Sequence, residues 1–286
     1  MVLLLCGLTS CLTQSGVFLS PTASPVFATQ MHDGLFLTQA RIGGREVGPF
    51  ILDTGANHIG LDVALAQSLG IGAGAPAAPK ARRGAVTTLE VGPLVLQEIE
   101  VALLDLTAAR PAFGGHLAGL LGYPLFARTV VVVDYIKGTV ACFDPRTYQL
   151  PSGEWMPLGF QAHRPVVPAR LEGNRVGQFL LDTGSNRAAL FYSDFVRTQG
   201  LRDTRWTSKG QGMFVDGPHD TETARLAWFE FVGVRFERPI VAFARPDQPG
   251  PPGIAGIIGA GVLQRFTVIF NYPQAKIALL PHPLGR

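Results

Sequence analysis

The stretch Ile51-Leu52-Asp53-Thr54-Gly55-Ala56-Asn57 returns as Leu180-Leu181-Asp182-Thr183-Gly184-Ser185-Asn186, at a spacing of 182 − 53 = 129 positions. A single Asp-Thr-Gly says little, because Asp before Gly is ordinary turn chemistry. The neighbours give the recurrence its weight. At the same spacing Ala40-Arg41 falls on Ala169-Arg170, Gly44 on Gly173, Val47-Gly48 on Val176-Gly177, Phe50 on Phe179 and Leu52 on Leu181. Downstream, Asn57 meets Asn186 and Leu61 meets Leu190. The chain is an internal repeat, which is read before any local feature.

A second pair of landmarks follows, Gly119-Leu120-Leu121-Gly122 and Gly256-Ile257-Ile258-Gly259, each ahead of an apolar strand pattern in which Tyr135 matches Tyr272. Here the spacing is 259 − 122 = 137, so the second half holds eight more residues than the first between motif and landmark. That extra length is expected in loops. Two like carboxylates brought close together cannot both ionise, so one keeps a proton that the other has lost. Such a pair offers an acid and a base at once, which is what water needs to split an amide.

On these residues each half resembles a retropepsin-like aspartic protease domain. The tandem resembles a single-chain, two-lobed member of the pepsin and retropepsin superfamily, from roughly residue 33 onward. The resemblance implies an all-β fold in which each lobe is a β-barrel with a short helix and the active site lies at the lobe interface. The expected division is 1–30 as a signal or lipoprotein segment, 31–148 as the first lobe and 149–286 as the second. Carried over, Asp53 and Asp182 are the catalytic dyad. Thr54 and Thr183 tie the two loops together, and Gly55 and Gly184 let the backbone turn beneath the carboxylates.

Ala56 follows the retroviral pattern and Ser185 the pepsin-like one. A Ser185 hydroxyl bonded to Asp182 would favour its charged form, leaving Asp53 with the shared proton. The chain departs from pepsin-like enzymes in lacking an aromatic flap, since Lys80–Glu90 holds no aromatic residue. A flap is sought either at Arg82-Arg83-Gly84 or at Gly210-Gln211-Gly212-Met213-Phe214.

The implied function is an aspartic endopeptidase acting on a peptide extended across an interlobe cleft, without cofactor or metal. The expected state is a monomer, as one chain supplies both aspartates. Two alternatives stay open: a non-catalytic peptide-binding module on the duplicated lobe, and pairing of each half with its twin in another chain.

Composition agrees. A chain of 286 residues, 47% hydrophobic and 16% charged, can build two cores, and Gly 34 with Pro 22 favours a turn-rich β architecture. Strands are predicted at Leu35–Ile42, Val47–Leu52, Leu94–Leu104, Val130–Asp134, Val166–Leu171, Gln178–Leu181, Trp228–Val232 and Val268–Phe270. Short helices stopped by Gly are predicted at Asp62–Leu69 and Ser193–Gln199. Gly70–Pro79, Tyr148–Gly153 and Arg245–Gly253 read as linkers or exposed loops.

At the N-terminus Leu8-Thr9-Ser10-Cys11 resembles a bacterial lipoprotein signal, with Cys11 as the lipidated residue, although residues 1–28 contain no Lys or Arg. Two locations therefore stand: cell envelope or periplasm with a lipid anchor at Cys11, or cytoplasm. With Cys6 and Cys11 in that segment, Cys142 on its apolar strand reads as a buried, unreactive thiol. The six His show no metal-ligand spacing. His58 and Arg187 occupy equivalent places after the two motifs. A net charge of +3 and the isolated Arg82-Arg83 pair give no nucleic-acid footprint.

Overall fold

The computed structural model describes residues 16–18, 26, 27, 29–72, 82–203, 205–214 and 217–281. Cys6, Cys11 and all but the start of Gly70–Pro79 lie outside them. The eight predicted strands are present: three keep their bounds, four are longer by two to four residues, as Arg45–Leu52, Arg164–Leu171, Arg175–Asp182 and Phe266–Asn271, and the one from Trp228 ends a residue earlier, at Phe231. Both predicted helices are present as Val63–Ser68 and Ser193–Thr198. Two further short helices, Tyr123–Phe126 and Ala260–Leu263, follow the landmark glycines; four-residue helices leave no periodicity to read.

The first lobe is a closed barrel. Its strands run Leu94–Leu104, Ile59–Asp62, Gly119–Leu121, Arg45–Leu52, Leu35–Ile42 and Arg82–Val91, the last pairing back onto Leu94–Leu104. Parts of the segment 1–30 are woven into it. Gly16–Phe18 pairs with Leu94–Leu96, and Phe27, buried at 3% exposure, donates its backbone N–H to Val140.

The second lobe repeats this order, but its two closing strands are each split, into Gly217–Arg225 with Trp228–Phe231 and Val234–Glu237 with Ile240–Ala244. Pro239 lies at one break, where it cannot donate to a ladder; its carbonyl accepts from Leu226 N–H instead. Part of the added length of the second half is therefore strand, the hairpin Thr207–Phe214 and Gly217–Arg225, rather than loop alone. One added residue lies just after Arg187. The ladder sets Leu61 against Gly119 but Phe191 against Gly256, so Leu61 corresponds to Phe191, not to Leu190. Asp62 thereby corresponds to Tyr192, and the two sit at the N-caps of equivalent helices.

A five-stranded sheet joins the lobes, in the order Thr139–Phe143, Val130–Asp134, Phe266–Asn271, Lys276–Pro281, Met156–Pro157. At its centre Val132 pairs with Ile269, its own counterpart at the 137 spacing, so a pseudo-twofold axis runs through that pair. Tyr148 and Leu150, expected in an exposed linker, lean half-buried on this sheet beside Trp155, because its apolar outer face needs cover. The Arg245–Gly253 loop is tied to the second helix of the repeat: Gly250 N–H donates to Asp194, and Ser193 N–H to the Gln248 carbonyl. Inside the second barrel Phe179, Phe191 and Phe229 meet at ring centroids 5.1–5.7 Å apart. Each is fully buried, worth about 2–3 kcal/mol of apolar transfer apiece.

Candidate active site at the lobe junction

Each Asp-Thr-Gly loop leaves a buried strand, Arg45–Leu52 or Arg175–Asp182, and a landmark strand runs parallel beside it, Leu52 pairing with Leu121 and Leu181 with Ile258. The loops meet through their threonines. Thr54 N–H donates to Thr183 Oγ1 at 3.0 Å, and Thr183 N–H to Thr54 Oγ1 at 2.9 Å. Each hydroxyl then donates across the junction at 2.7 Å, Thr54 to the Leu181 carbonyl and Thr183 to that of Leu52. All four bonds are buried and obey the repeat, so the clasp fixes one loop relative to the other.

The glycines do something other than turn. Neither Gly55 nor Gly184 has a positive φ. A Cβ on Gly55 would lie 2.6 Å from Asp182 Cγ, and one on Gly184 2.6 Å from Asp53 Cγ. Glycine is required because the opposite carboxyl occupies the space a side chain would take.

Asp53 is 8% exposed, and its carboxyl is in hydrogen-bonding contact with that of Asp182. Burial first, then the charge of Asp182, holds Asp53 well above the usual carboxylate range, against the N–H groups of Gly55 and Ala56. Burial also raises Asp182, but the bond from Asp53, the N–H groups of Gly184 and Ser185 and the charge of Arg164 oppose it. The shared proton belongs on Asp53. That asymmetry was expected from the Ser185 hydroxyl, which makes no hydrogen bond to Asp182; only the Ser185 backbone does, and its Oγ lies under Gly259 instead.

Several residues around the carboxyls were not assigned to the site from sequence. Tyr135 and Tyr272, matched in the repeat, are both buried, and burial lifts their hydroxyl pKa values, with Asp182 adding to each. Tyr123 stacks on His163 at 4.4 Å across the junction. The mirror place sets Gly34 against Ala260, where a Cβ on the glycine would lie 3.4 Å from that of Ala260, and beside it Asn186 donates to Asp33. Arg164, at the head of its strand, acts on both Asp182 and Tyr192. The signal for it was present, since the 129 spacing sets Arg164 on Leu35.

Of the two equivalent residues after the motifs, His58 bonds Asn57 at 2.6 Å, and Arg187 donates to Thr221 at 3.3 Å. The two sites considered for a flap differ. Arg82-Arg83-Gly84 is laddered against Leu103-Ala102-Val101, so it is strand, not turn. Gly210–Phe214 is an arm of the second-lobe hairpin. Cys142 is buried at 1% exposure beside Thr129, its thiol pushed up to about 12 by burial.

A family model described as aspartyl protease matches residues 38–125 and 167–262. In overall shape the chain is similar to the crystal structure of basic 7S globulin from soybean, with a TM-score of 0.52 over 91% of this chain and 95% of that one. Identity there is 11%, a likeness of fold alone. Among curated protein sequences no relative matches. The two matched segments each contain one of the clasped Asp-Thr-Gly loops and together span more than half of the sequence, so the chain belongs to the aspartyl protease family.

Proposed function

We propose that the chain is an aspartic endopeptidase in which Asp53 and Asp182 hydrolyse a peptide bond through a water held between them. The observation that carries this reading is the contact of two buried carboxyls under the reciprocal threonine clasp. Asp182, ionised, takes a proton from the water as its oxygen attacks the carbonyl carbon. Asp53 gives its proton to the carbonyl oxygen. The tetrahedral intermediate collapses as Asp182 passes its proton to the amide nitrogen, Asp53 takes one back from a hydroxyl and the C–N bond breaks, which restores the starting protonation; no covalent enzyme intermediate forms. The substrate lies extended between the lobes, its backbone joining strand-like edges while side-chain pockets set the preference. Activity then follows a bell-shaped pH profile, lost when Asp182 is protonated and when Asp53 ionises.

The test is mass spectrometry of a diverse peptide mixture incubated across a pH series with the protein, beside Asp53→Asn and Asp182→Asn. Each substitution is expected to lower cleavage by about 10³-fold or more. Cleavage that survives either one breaks the dyad model. Peptides that bind but are never cut favour a binding module.

A further inference from the structure

We infer that the second lobe carries a carboxylate-recognition subsite centred on Arg164, so that the substrate sets an acidic group on one side of the cut and an apolar side chain on the other. The inference rests on the peptidase reading above.

The pseudo-twofold axis makes the argument. Leu37 pairs with Ile51 and Val166 with Leu180 in the same register, which fixes Leu35 and Arg164 as counterparts. Leu35 is 7% exposed and lines a cavity of about 280 Å³ together with Ile51, Phe113 and Leu120. Gly184 and Asn186, reaching over from the other lobe, border the same cavity. It therefore adjoins the dyad through Gly184, and although His32 and Asp33 also line it, its mainly apolar wall suits an apolar side chain. Rotation about the axis carries Leu35 to Arg164, Ile51 to Leu180 and Leu120 to Ile257. A peptide crossing the axis with its scissile bond at the dyad meets the two places on opposite sides of that bond.

At the rotated place the greasy residue has become a cation. Arg164 is half-buried, its Nε is fully enclosed and unpartnered, and its guanidinium makes no hydrogen bond or ion pair with any described residue. The contrast with other arginines of this lobe is direct: Arg202 is paired with Glu222 and Arg205 with Glu172. A sheltered guanidinium without a hydrogen-bond partner costs stability even with the charge of Asp182 nearby, and a planar fork of donors fits a carboxylate bidentately. The flanking Tyr192 is held in place by Gly250, which rests against its ring. Its hydroxyl pKa is pushed up to about 12, by burial first and then by Asp182, so it stays a donor. The anion supplied by the substrate is an acidic side chain or a chain-terminal carboxylate, which share one chemistry.

The experiment uses peptides identical but for Glu, Gln or Leu at one position flanking the cut, each with a free or an amidated C-terminus. They are given to the wild-type protein, Arg164→Leu and Arg164→Lys. Wild type is expected to cleave the Glu peptide at least about 10-fold better in kcat/KM than the Gln peptide, the scale of a charge-assisted bond. Arg164→Leu, which restores the first-lobe residue, should erase that ratio and favour Leu, while Arg164→Lys keeps part of it. A preference that follows the free C-terminus rather than Glu assigns the carboxylate to the chain end. An unchanged Glu-to-Gln ratio in Arg164→Leu overturns the inference, as does an equal loss on every peptide, which would leave Arg164 acting on the dyad alone. If wild type cuts nothing, anisotropy of the labelled peptides with the same protein decides. Glu binding over Gln that disappears in Arg164→Leu upholds the subsite while the peptidase reading falls, and no discrimination removes both.

Discussion

On the first-lobe side of the junction Leu35, Ile51, Phe113 and Leu120 line a cavity that Gly184 borders; on the second-lobe side Arg164 and Tyr192 interact electrostatically with Asp182. The hydrogen bonds beneath the two carboxyls nevertheless match one for one. Thr54 and Thr183, Leu52 and Leu181, Gly55 and Gly184 exchange roles under the axis. The difference separates two kinds of constraint. A residue whose bond crosses the axis is bound by both lobes at once, because losing it strands a polar group in each. A residue that only faces the junction is free to diverge, and through Arg164 that divergence reaches the charge of the dyad.

The clasp is where a break in symmetry costs most. Thr183→Val removes the side-chain partner of the buried Thr54 N–H and of the Leu52 carbonyl, a loss of roughly 2–6 kcal/mol at 1–3 kcal/mol per orphaned group. Thr54→Val strands the mirror pair and should cost the same. Urea unfolding of both single variants and the double checks this. The double variant should lose less than the sum, since the two residues share their bonds. Unequal single losses would mean that the lobes do not lean on the clasp alike.

The asymmetry of charge has its own signature in pH. Asp53 is raised above its ordinary value of 3.8 by burial and by Asp182. A carboxyl raised by folding stabilises the fold fully below its unfolded pKa, and this contribution is lost as pH climbs through the folded value. Stability should therefore decline from about pH 4 upward, by at most about 1.4 kcal/mol per pH unit while the group titrates. Asp53→Asn should flatten that decline in urea midpoints measured across pH. Ser185→Ala should leave it untouched, because the Ser185 hydroxyl does not reach the carboxyls.

The two Asp-Thr-Gly motifs and the strands were legible because the duplication states them twice, and a residue paired with its own repeat is read against a built-in control; the clasp of Thr54 and Thr183 was implied by the family resemblance. Val132 against Ile269 and Tyr135 against Tyr272 belong to the same class. What stayed hidden was set by contacts across the axis. Nothing in the string Gln161-Ala162-His163-Arg164 says that His163 stacks on Tyr123, or that the charge of Arg164 acts on Asp182. The one-residue insertion after Arg187 was masked because Leu190 made a chance match with Leu61, and only the ladder to Gly256 reveals it. The role of Gly55 was legible as a glycine but not as a consequence of Asp182, which lies 182 − 55 = 127 residues away in the chain.

The smallest expected effect lies in the two hairpin turns that reach across the junction. Asp33-Gly34 turns with φ of 49° and 79°, conformations that Asp and Gly adopt readily. Its counterpart Ala162-His163 takes 47° and 65° with neither Gly nor Asn, at roughly 1 kcal/mol or more per residue in the left-handed region. The stack of His163 on Tyr123 and the pairing of Gln161 with Arg164 hold that turn in place. Ala162→Gly should therefore stabilise the protein, by up to about 1 kcal/mol, whereas glycine in a relaxed position would destabilise it. Asp33→Gly, in a turn already eased by Gly34 and bonded to Asn186, should not share the gain. Thermal midpoints of the two variants decide the point: a rise for Ala162→Gly alone places backbone strain only on the lobe that carries Arg164, and equal shifts would mean that the two turns are strained alike.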